Sequence, residues 1–408
     1  MAATLGLSLG SSINHYTLSM FGPALIADLG WSKADFALVG SLPLLMLVLV
    51  PVAGRFTDRF GTRTAALVGF TAMPLGFLAM SFMRGGITEY FAIYLVQHAF
   101  GILTTSMVFC RVVVERFDAA RGIALSLVMT GPPLAGAIAA PVLGEVIADH
   151  GWRAGYQALA LVCLAGGLLS IPFMGRQTRR TAEAKEETKF DRAELMTMLR
   201  NPMLLLILGG MFLVNVPQVF ASSQLKLVVM DSGVTDQTAT WMVSLYAIGV
   251  IIGRFASGLA LDRVSPHIVA IAALGLPAVG YVILASHVTA AGVLMGGVMV
   301  IGLAQGAESD IGAYLISRRF DLKNFSLLLS LMTMTIGLGS AVGSVLMSAT
   351  LRSGGGYGPF LVTSAVATLI GAALFALTGP LARSAARREQ HTETEEAVLE
   401  QAIGGEIS

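Results

Sequence analysis

The chain has 408 residues, of which 55% are hydrophobic and only 12% are charged. A soluble domain carries roughly 25% charged residues, so this composition argues against an ordinary soluble α-helical protein and favours one embedded in lipid. The formal net charge of +1 does not by itself point to a partner.

Twelve apolar runs follow one another along the chain, each near the roughly 20 residues that a helix needs to cross a hydrocarbon layer. The runs do not alternate between apolar and polar residues, which favours helices over the strands of a barrel. The predicted spans are 6–29, 36–54, 64–83, 89–114, 122–147, 154–175, 202–224, 238–260, 268–286, 290–316, 326–350 and 359–382. We therefore predict an all-α membrane protein with twelve transmembrane helices in two pseudo-symmetric six-helix bundles.

A charged, mostly non-apolar segment divides the twelve spans into two groups of six. It predicts four parts: an N-terminal bundle (1–175), a linker (176–201), a C-terminal bundle (202–382) and a tail (383–408). The tail is polar and acidic, and we expect it to be disordered.

Lysine and arginine placement predicts the orientation. Most of the 26 basic residues fall in the linker, the tail and the loops on their side of the membrane. The loops on the other side hold Lys33, Arg84, Arg153, Lys226 and Arg352. Because cytoplasmic loops carry the excess of basic residues, we expect both termini in the cytoplasm and the protein in the inner or plasma membrane of the cell.

A short repeat supports the division into two halves. The sequence "GRFTDRFGTR" (54–63) follows the second span, and "GLALDRVSPH" (258–267) follows the eighth. The second copy places Gly258, Asp262 and Arg263 where the first has Gly54, Asp58 and Arg59. The first copy also fits the pattern G-x-x-x-D-R-x-G-x-R at Gly54, Asp58, Arg59, Gly61 and Arg63.

With twelve spans, this motif resembles the major facilitator superfamily. The resemblance implies the fold of that family, with a substrate site between two halves that rock around it. It also implies that the motif helps to hold the inward gate shut. Its glycine would let two helices approach closely, and its charged residues would bond across the ends of helices.

Two stretches resemble the monocarboxylate transporter and oxalate–formate antiporter branch of that family. They are 121–156 and "QLKLVVMDSG" (224–233), although Gln224 stands where the branch has histidine. The resemblance places Arg254 where the branch carries an arginine that contacts the substrate carboxylate. Val250 occupies the position of an acidic residue in eukaryotic members, and Gln97 that of an arginine found in many proton-driven members.

Arg254 is a cation within an apolar run, eight residues before Asp262 at the predicted end of the eighth helix. That separation corresponds to roughly 12 Å along a helix, close to the bilayer centre. A charge there costs at least about 2.5–3.5 kcal/mol. Because a guanidinium matches a carboxylate in two hydrogen bonds, we expect a substrate carboxylate to bind it. The alternative is a structural ion pair with another helix.

Glu308 and Asp310 in "GLAQGAESDIGAYL" (302–315) are the candidate partners of Arg254. Residues two apart point to different faces of a helix, so we expect only one of them to line the cavity. Either one could pair with Arg254 in the empty protein and take up a proton when substrate occupies the arginine. That competition would couple protons to anions. Alternatively, Glu308 bridges helices and never titrates.

Further candidate residues are polar groups in other spans. Arg111 has Glu115 four residues later, so an intrahelical ion pair competes with a role as a second substrate-binding cation. The resemblance also concerns the middle of the first helix, near the position where mammalian members of the branch carry a substrate-sensing lysine. Asn14, His15 and Tyr16 are therefore candidates for contact with substrate. Neutral hydrogen bonds to substrate are expected from Asn215, Gln218 and Tyr246.

These features favour a secondary active transporter for a small, monocarboxylate-like organic anion, with proton symport as the preferred mode. The alternatives are carboxylate exchange, a drug-efflux carrier that tolerates loss of Arg254, and, remotely, a membrane sensor without transport activity. The sequence shows no nucleotide loop, metal cluster or hydrolytic triad. We expect no enzyme activity, cofactor, metal or nucleic acid. The expected partners are the anion, protons and the lipid bilayer, with the protein as a monomer.

Overall fold

The computed structural model describes residues 1–114, 121–174, 200–286, 288–320 and 325–380. Predictions on Glu115, on most of the linker and on the tail therefore lie outside the described residues. In the described part the chain forms helices and turns only, as the composition predicted. Nine helices in this part are long and apolar enough to cross a membrane.

One of these nine, Ala124–Phe173, is in fact two antiparallel helices. The backbone reverses at Gly151, whose φ of 81° favours glycine over any residue with a side chain. Two further segments at the N-terminus are helical but interrupted, the first near Gly10 and the second by 3₁₀ turns. Counted in this way, the described residues form the twelve predicted helical segments.

We number these segments α1 to α12 in chain order. In the N-terminal bundle they are α1 (Ala2–Leu9 and Ser12–Leu29), α2 (Lys33–Ala37, Leu38–Ser41, Leu42–Met46, Leu47–Leu49 and Val50–Phe60), α3 (Thr62–Phe82), α4 (Ile87–Gly101, Ile102–Thr104 and Ser106–Val114), α5 (121–150) and α6 (152–170, followed by Ile171–Phe173). In the C-terminal bundle they are α7 (Pro202–Asp231), α8 (Asp236–Leu261), α9 (Pro266–Gly275 and Pro277–Ala285), α10 (Ala291–Arg319), α11 (Phe325–Arg352) and α12 (Gly358–Pro380).

Two predicted boundaries were wrong by more than five residues. The second helix continues to Phe60 and not to residue 54, so it includes the first part of the motif, and the seventh continues to Asp231 and not to residue 224. Lys226, predicted to lie in a loop, is a buried residue of α7. Its Nζ lies 2.8 Å from Oδ1 of Asp236, the first residue of α8. The pairing satisfies the ammonium inside the protein, so the lysine does not end the helix.

Three apolar cores show how the two bundles meet. We call the end where the chain leaves α6 and enters α7 the linker end, and the other the opposite end. Towards the opposite end one core includes side chains of both bundles, such as Phe36, Tyr90, Phe220 and Tyr281. Towards the linker end each bundle has a core of its own. The bundles are therefore packed together at the opposite end, while the described residues at the linker end form a separate core in each bundle.

Two ion pairs cross between the bundles at the opposite end. Lys33 Nζ of α2 lies 2.6 Å from Asp231 Oδ1 of α7. Arg352 Nη2 of α11 lies 2.7 Å from Asp35 Oδ1 of α2. Each bundle thus contributes one cation and one carboxylate to this junction.

Many large apolar side chains remain on the outside of the protein, including Leu75 of α3, Leu161 of α6, Val279 of α9 and Leu369 of α12. A soluble protein rarely exposes contiguous apolar surfaces of this extent. These helices provide the surface that lipid tails would cover.

A charged site between the two bundles

Arg254 lies on α8 where this helix passes α5 of the other bundle. Its Nη1 donates a hydrogen bond to the backbone carbonyl of Met129 on α5, at 2.9 Å. Its Nε is 3.4 Å from Asp310 Oδ2 on α10, yet it makes no hydrogen bond with the described residues. The side chain of Arg254 is 18% exposed and that of Asp310 is 44% exposed. The pair with Arg254 is therefore loose, and its carboxylate is partly exposed to solvent.

Close packing of α8 on α10 sets the position of this ion pair. A Cβ at Gly249 would lie 2.8 Å from the Met299 carbonyl oxygen, and one at Gly253 would collide with the Leu303 carbonyl oxygen. Gly302 and Gly306 of α10 meet the backbone of α8 in the same way. Small residues four apart on both helices let the backbones touch. Arg254 directly follows one of these glycines, so its Cα is held close to α10.

The structure separates the two carboxylates of α10, as their spacing predicted. Asp310 is the one that pairs with Arg254. Glu308 is buried, 6% exposed, and its Oε1 accepts a hydrogen bond from Nδ2 of Asn215 on α7. Its Oε2 accepts a longer one, at 3.4 Å, from Gln305 Nε2. No lysine or arginine in the described ranges pairs with Glu308.

Glu308 also borders a small cavity within the C-terminal bundle. The cavity measures about 20 Å³ and is lined by polar groups of Gln218, Tyr281 and Gln305 together with apolar side chains. That volume is enough for about one water molecule. Asn215 Nδ2 also donates to the Met211 carbonyl at 2.8 Å, which fixes the orientation of the amide. Asn215 and Gln218, predicted to contact substrate directly, are thus neighbours of Glu308.

Two tyrosines accompany Arg254 at the junction of the bundles. Tyr16 of α1 lies within electrostatic range of the arginine, and its ring centroid is 6.5 Å from that of Tyr246 on α8. The buried Tyr246 hydroxyl has no hydrogen-bond partner among the described residues. His15 contacts Tyr16 edge to face, with centroids 4.8 Å apart. The structure therefore brings Tyr16 near Arg254, and packs Tyr246 and His15 against Tyr16.

Other predicted ligands make contacts inside the N-terminal bundle. Asn14 Nδ2 donates to Gln97 Oε1 of α4 at 3.4 Å, and Gln97 Nε2 donates to the Met73 carbonyl at 3.1 Å. Arg111 Nη1 lies 2.5 Å from Asp58 Oδ1 of the loop motif. The motif carboxylate therefore binds a cation of α4, which the sequence analysis had not paired with it.

The glycines of the repeat do not make the close helix contact that the motif predicted. A Cβ at Gly54 or at Gly258 would meet no heavy atom of the described residues within 4 Å. The described residues at the linker end form a separate core in each bundle, so no described helix packs against these two glycines. Gly61 has a different role: its φ of 86° ends α2 in a conformation that favours glycine.

One polar contact at the opposite end was not predicted from the sequence. Gln224 is fully buried, and its Oε1 accepts a hydrogen bond from the Tyr357 hydroxyl at 3.2 Å. It lies in a π-helical turn of α7, Phe220–Gln224. Such turns often mark functional sites, but no sequence pattern used above identifies them.

Two helical bundles in contact at one end, with a charged site between them, define a membrane transport protein. A family model of the Major Facilitator Superfamily matches residues 5–230 and 221–404. The chain therefore belongs to the Major Facilitator Superfamily, as the motif and the twelve spans predicted.

Individual relatives are more distant. Monocarboxylate transporter 4 of Rattus norvegicus is 27% identical over 268 residues, 61% of this chain and 54% of the relative. Agnestins efflux protein AgnL12 of Paecilomyces divaricatus is 26% identical over 285 residues, 68% of this chain and 62% of the relative. Each match spans less than two thirds of the relative's length.

Solved structures share the fold. The nucleoside transporter NupG superposes with a TM-score of 0.74 at 12% identity, covering 92% of this chain and 98% of NupG. A D-xylose–proton symporter superposes with a TM-score of 0.70 at 14% identity, covering 92% of this chain and 95% of the symporter. At such identities the likeness concerns the fold alone.

Proposed function

We propose that this protein is a secondary active transporter that moves a small organic anion, a monocarboxylate, together with a proton. One observation carries the proposal: among the described residues, the partners of this permanent cation between the bundles are a half-exposed carboxylate at 3.4 Å and a backbone carbonyl. An arginine with such partners is free to exchange them for a ligand. The similarity to monocarboxylate transporter 4 supports the choice of ligand class.

In this mechanism Arg254 binds the carboxylate of the substrate. The two contacts described use Nη1 and Nε, and a bidentate carboxylate must engage at least one of these nitrogens. Tyr16 lies near the arginine, and Tyr246 packs against Tyr16. The Tyr246 hydroxyl, which has no hydrogen-bond partner among the described residues, can donate to the part of the anion that reaches it. Because both bundles contribute, a bound anion favours a state in which they close around it.

Asp310 is our candidate for the proton-coupling residue. While Asp310 is ionised, its carboxylate competes with the substrate for Arg254. Once Asp310 is protonated, this competition ends and the substrate anion can bind Arg254. Proton and anion therefore bind together and leave together, which is symport. Glu308 is hydrogen-bonded to Asn215, and there it can hold a proton without touching Arg254.

The orientation predicted from basic residues makes the linker end cytoplasmic. With the bundles joined at the opposite end, the described state is then inward-facing. The ion pairs Lys33–Asp231 and Arg352–Asp35, which cross between the bundles, would form the closed outer gate. The Asp58–Arg111 pair would belong to the inner gate, which is open in this state.

Uptake into proteoliposomes tests the proposal. A panel of labelled carboxylates is offered with and without an inward proton gradient, to the parent and to Arg254→Lys, Asp310→Asn and Glu308→Gln. Arg254→Lys keeps the charge but loses the planar fork, so we expect apparent affinity to fall about tenfold to hundredfold. Asp310→Asn should retain exchange but lose stimulation by the proton gradient. Absence of carboxylate flux in the parent would remove the proposed substrate class.

Two alternatives have distinct outcomes in the same assay. A carboxylate exchanger needs an anion on the inner side and ignores the proton gradient. A drug-efflux carrier, favoured by the similarity to AgnL12, carries cationic or neutral compounds and retains activity in Arg254→Ala.

A further inference from the structure

Two consecutive prolines interrupt the hydrogen bonding of α5 one turn after Met129. In an α-helix each carbonyl accepts from the N–H four residues later, or three residues later where the turn tightens. Proline has no N–H. For Met129 these two positions are Pro133 and Pro132. Its neighbours Val128 and Thr130 each lose only one of the two donors, so within α5 the Met129 carbonyl alone loses both.

The Met129 carbonyl is also the one that Arg254 contacts. A buried carbonyl without a donor costs roughly 1–3 kcal/mol, and Pro132 and Pro133 are themselves buried. The guanidinium Nη1 of Arg254 supplies the donor from the other bundle, at 2.9 Å. A hydrogen bond from a charged donor is about twice as strong as a neutral one. The Met129 carbonyl, which lacks a donor within α5, and the Arg254 guanidinium of α8 therefore satisfy each other.

We infer that Pro132 and Pro133 position Arg254 between the bundles by leaving the Met129 carbonyl as its acceptor. The contact links α5 to α8 in the substrate-free protein. The two prolines are positioning residues, since neither carries a group that a ligand would bind. This role does not depend on the nature of the substrate. Its consequence, that a bound anion loosens the α5–α8 link by engaging the arginine, rests on the proposed function.

Distances between spin labels at the linker end test the inference without a substrate. Labels are placed at Thr64→Cys in α3 and at Val264→Cys after α8, both exposed. The background carries Cys110→Ala and Cys163→Ala, which removes the two native thiols. Double electron–electron resonance then reports the distance between the two labels, and so the separation of the bundles, in each variant.

Pro133→Ala returns an N–H to the helix, which then competes with Arg254 for the carbonyl. We expect the ratio of wide to narrow separations to rise about fivefold, the change expected from one weakened hydrogen bond. Arg254→Ala should produce the same change, and the double variant should add nothing to it. Pro132→Ala restores only the donor three residues away and should give a smaller shift. It also serves as the second variant if Pro133→Ala does not fold.

Pro141→Ala is the matched control in the same helix. It restores a donor to the carbonyl of residue 137, which lies eight residues beyond Met129. Its effect should be small, and additive with that of Arg254→Ala. Additive effects of Pro133→Ala and Arg254→Ala would overturn the inference, as would equal shifts in the two proline variants. A coupled shift in a protein without carboxylate flux would leave the inference standing and refute the proposed function.

Discussion

The contact between α8 and α10 predicts a graded effect of adding single methyl groups. A Cβ at Gly253 would collide with the Leu303 carbonyl oxygen, which is backbone and cannot rotate away. At Gly249 the Cβ would stand 2.8 Å from the Met299 carbonyl oxygen. Carbon and oxygen normally approach to about 3.3 Å, so α10 would have to move by about 0.5 Å there and by more at Gly253.

We expect Gly253→Ala to destabilise the protein by about 1–3 kcal/mol, the usual cost of overpacking. The alanine regains up to about 1 kcal/mol of helix propensity, so the net loss falls towards the lower half of that range. Transport should fall further than stability, because separating the helices pulls Arg254 away from Asp310. Gly249→Ala should also lower stability and transport, but by less than Gly253→Ala.

Thermal unfolding in detergent and proteoliposome uptake measure the two effects. Gly296→Ala on α10 is the control, because a Cβ there meets nothing within 4 Å among the described residues. It should be at least as stable as the parent, and by up to about 1 kcal/mol more stable, because the alanine gains helix propensity without a clash. The reasoning is refuted if Gly253→Ala is as stable and as active as Gly296→Ala.

Three further outcomes are expected. Lys33→Asp should weaken the junction at the opposite end by about 0.2–1 kcal/mol, and adding Asp231→Lys should restore it; thermal unfolding of both variants checks this. The pKa of Asp35 lies below its ordinary value. The largest cause is the hydrogen bond from the Ser32 hydroxyl, and the Arg352 guanidinium lowers the pKa further. The contribution of Asp35 is therefore present at neutral pH and is lost only below about pH 4, so Asp35→Asn should change stability equally at pH 5.5 and pH 7.5. Tyr246→Phe removes a hydroxyl that has no hydrogen-bond partner in the described part of the chain, so stability should be unchanged while carboxylate affinity falls; equal losses of both would contradict its role at the site.

The sequence was sufficient for the fold because the main determinants are local. Apolar length predicted the spans, and the charged segment, supported by the repeated motif, predicted the division into two bundles. The end of α7 could not be predicted, since Lys226 is kept in the helix by Asp236, a residue of the next element. A basic residue in an apolar run normally marks a boundary, and only tertiary contact overrides it.

For the site, the sequence identified Arg254 and limited its acidic partner to two residues of α10. Spacing predicted that Glu308 and Asp310 face different surroundings, but the choice between them depends on how α10 is rotated against α7 and α8. That rotation follows from the glycine contacts, which require both helices to be known. The contacts of Asn215 with Glu308 and of Asp58 with Arg111 likewise join residues far apart in sequence.

The core that the two bundles share at the opposite end should allow the protein to assemble from fragments. Described side chains from both halves interlock there. Two separately synthesised polypeptides, divided within residues 175–199, should therefore find each other in the bilayer and reconstitute a working carrier. The covalent connection would then serve to keep the halves in equal number, and the interlocked side chains would hold them together.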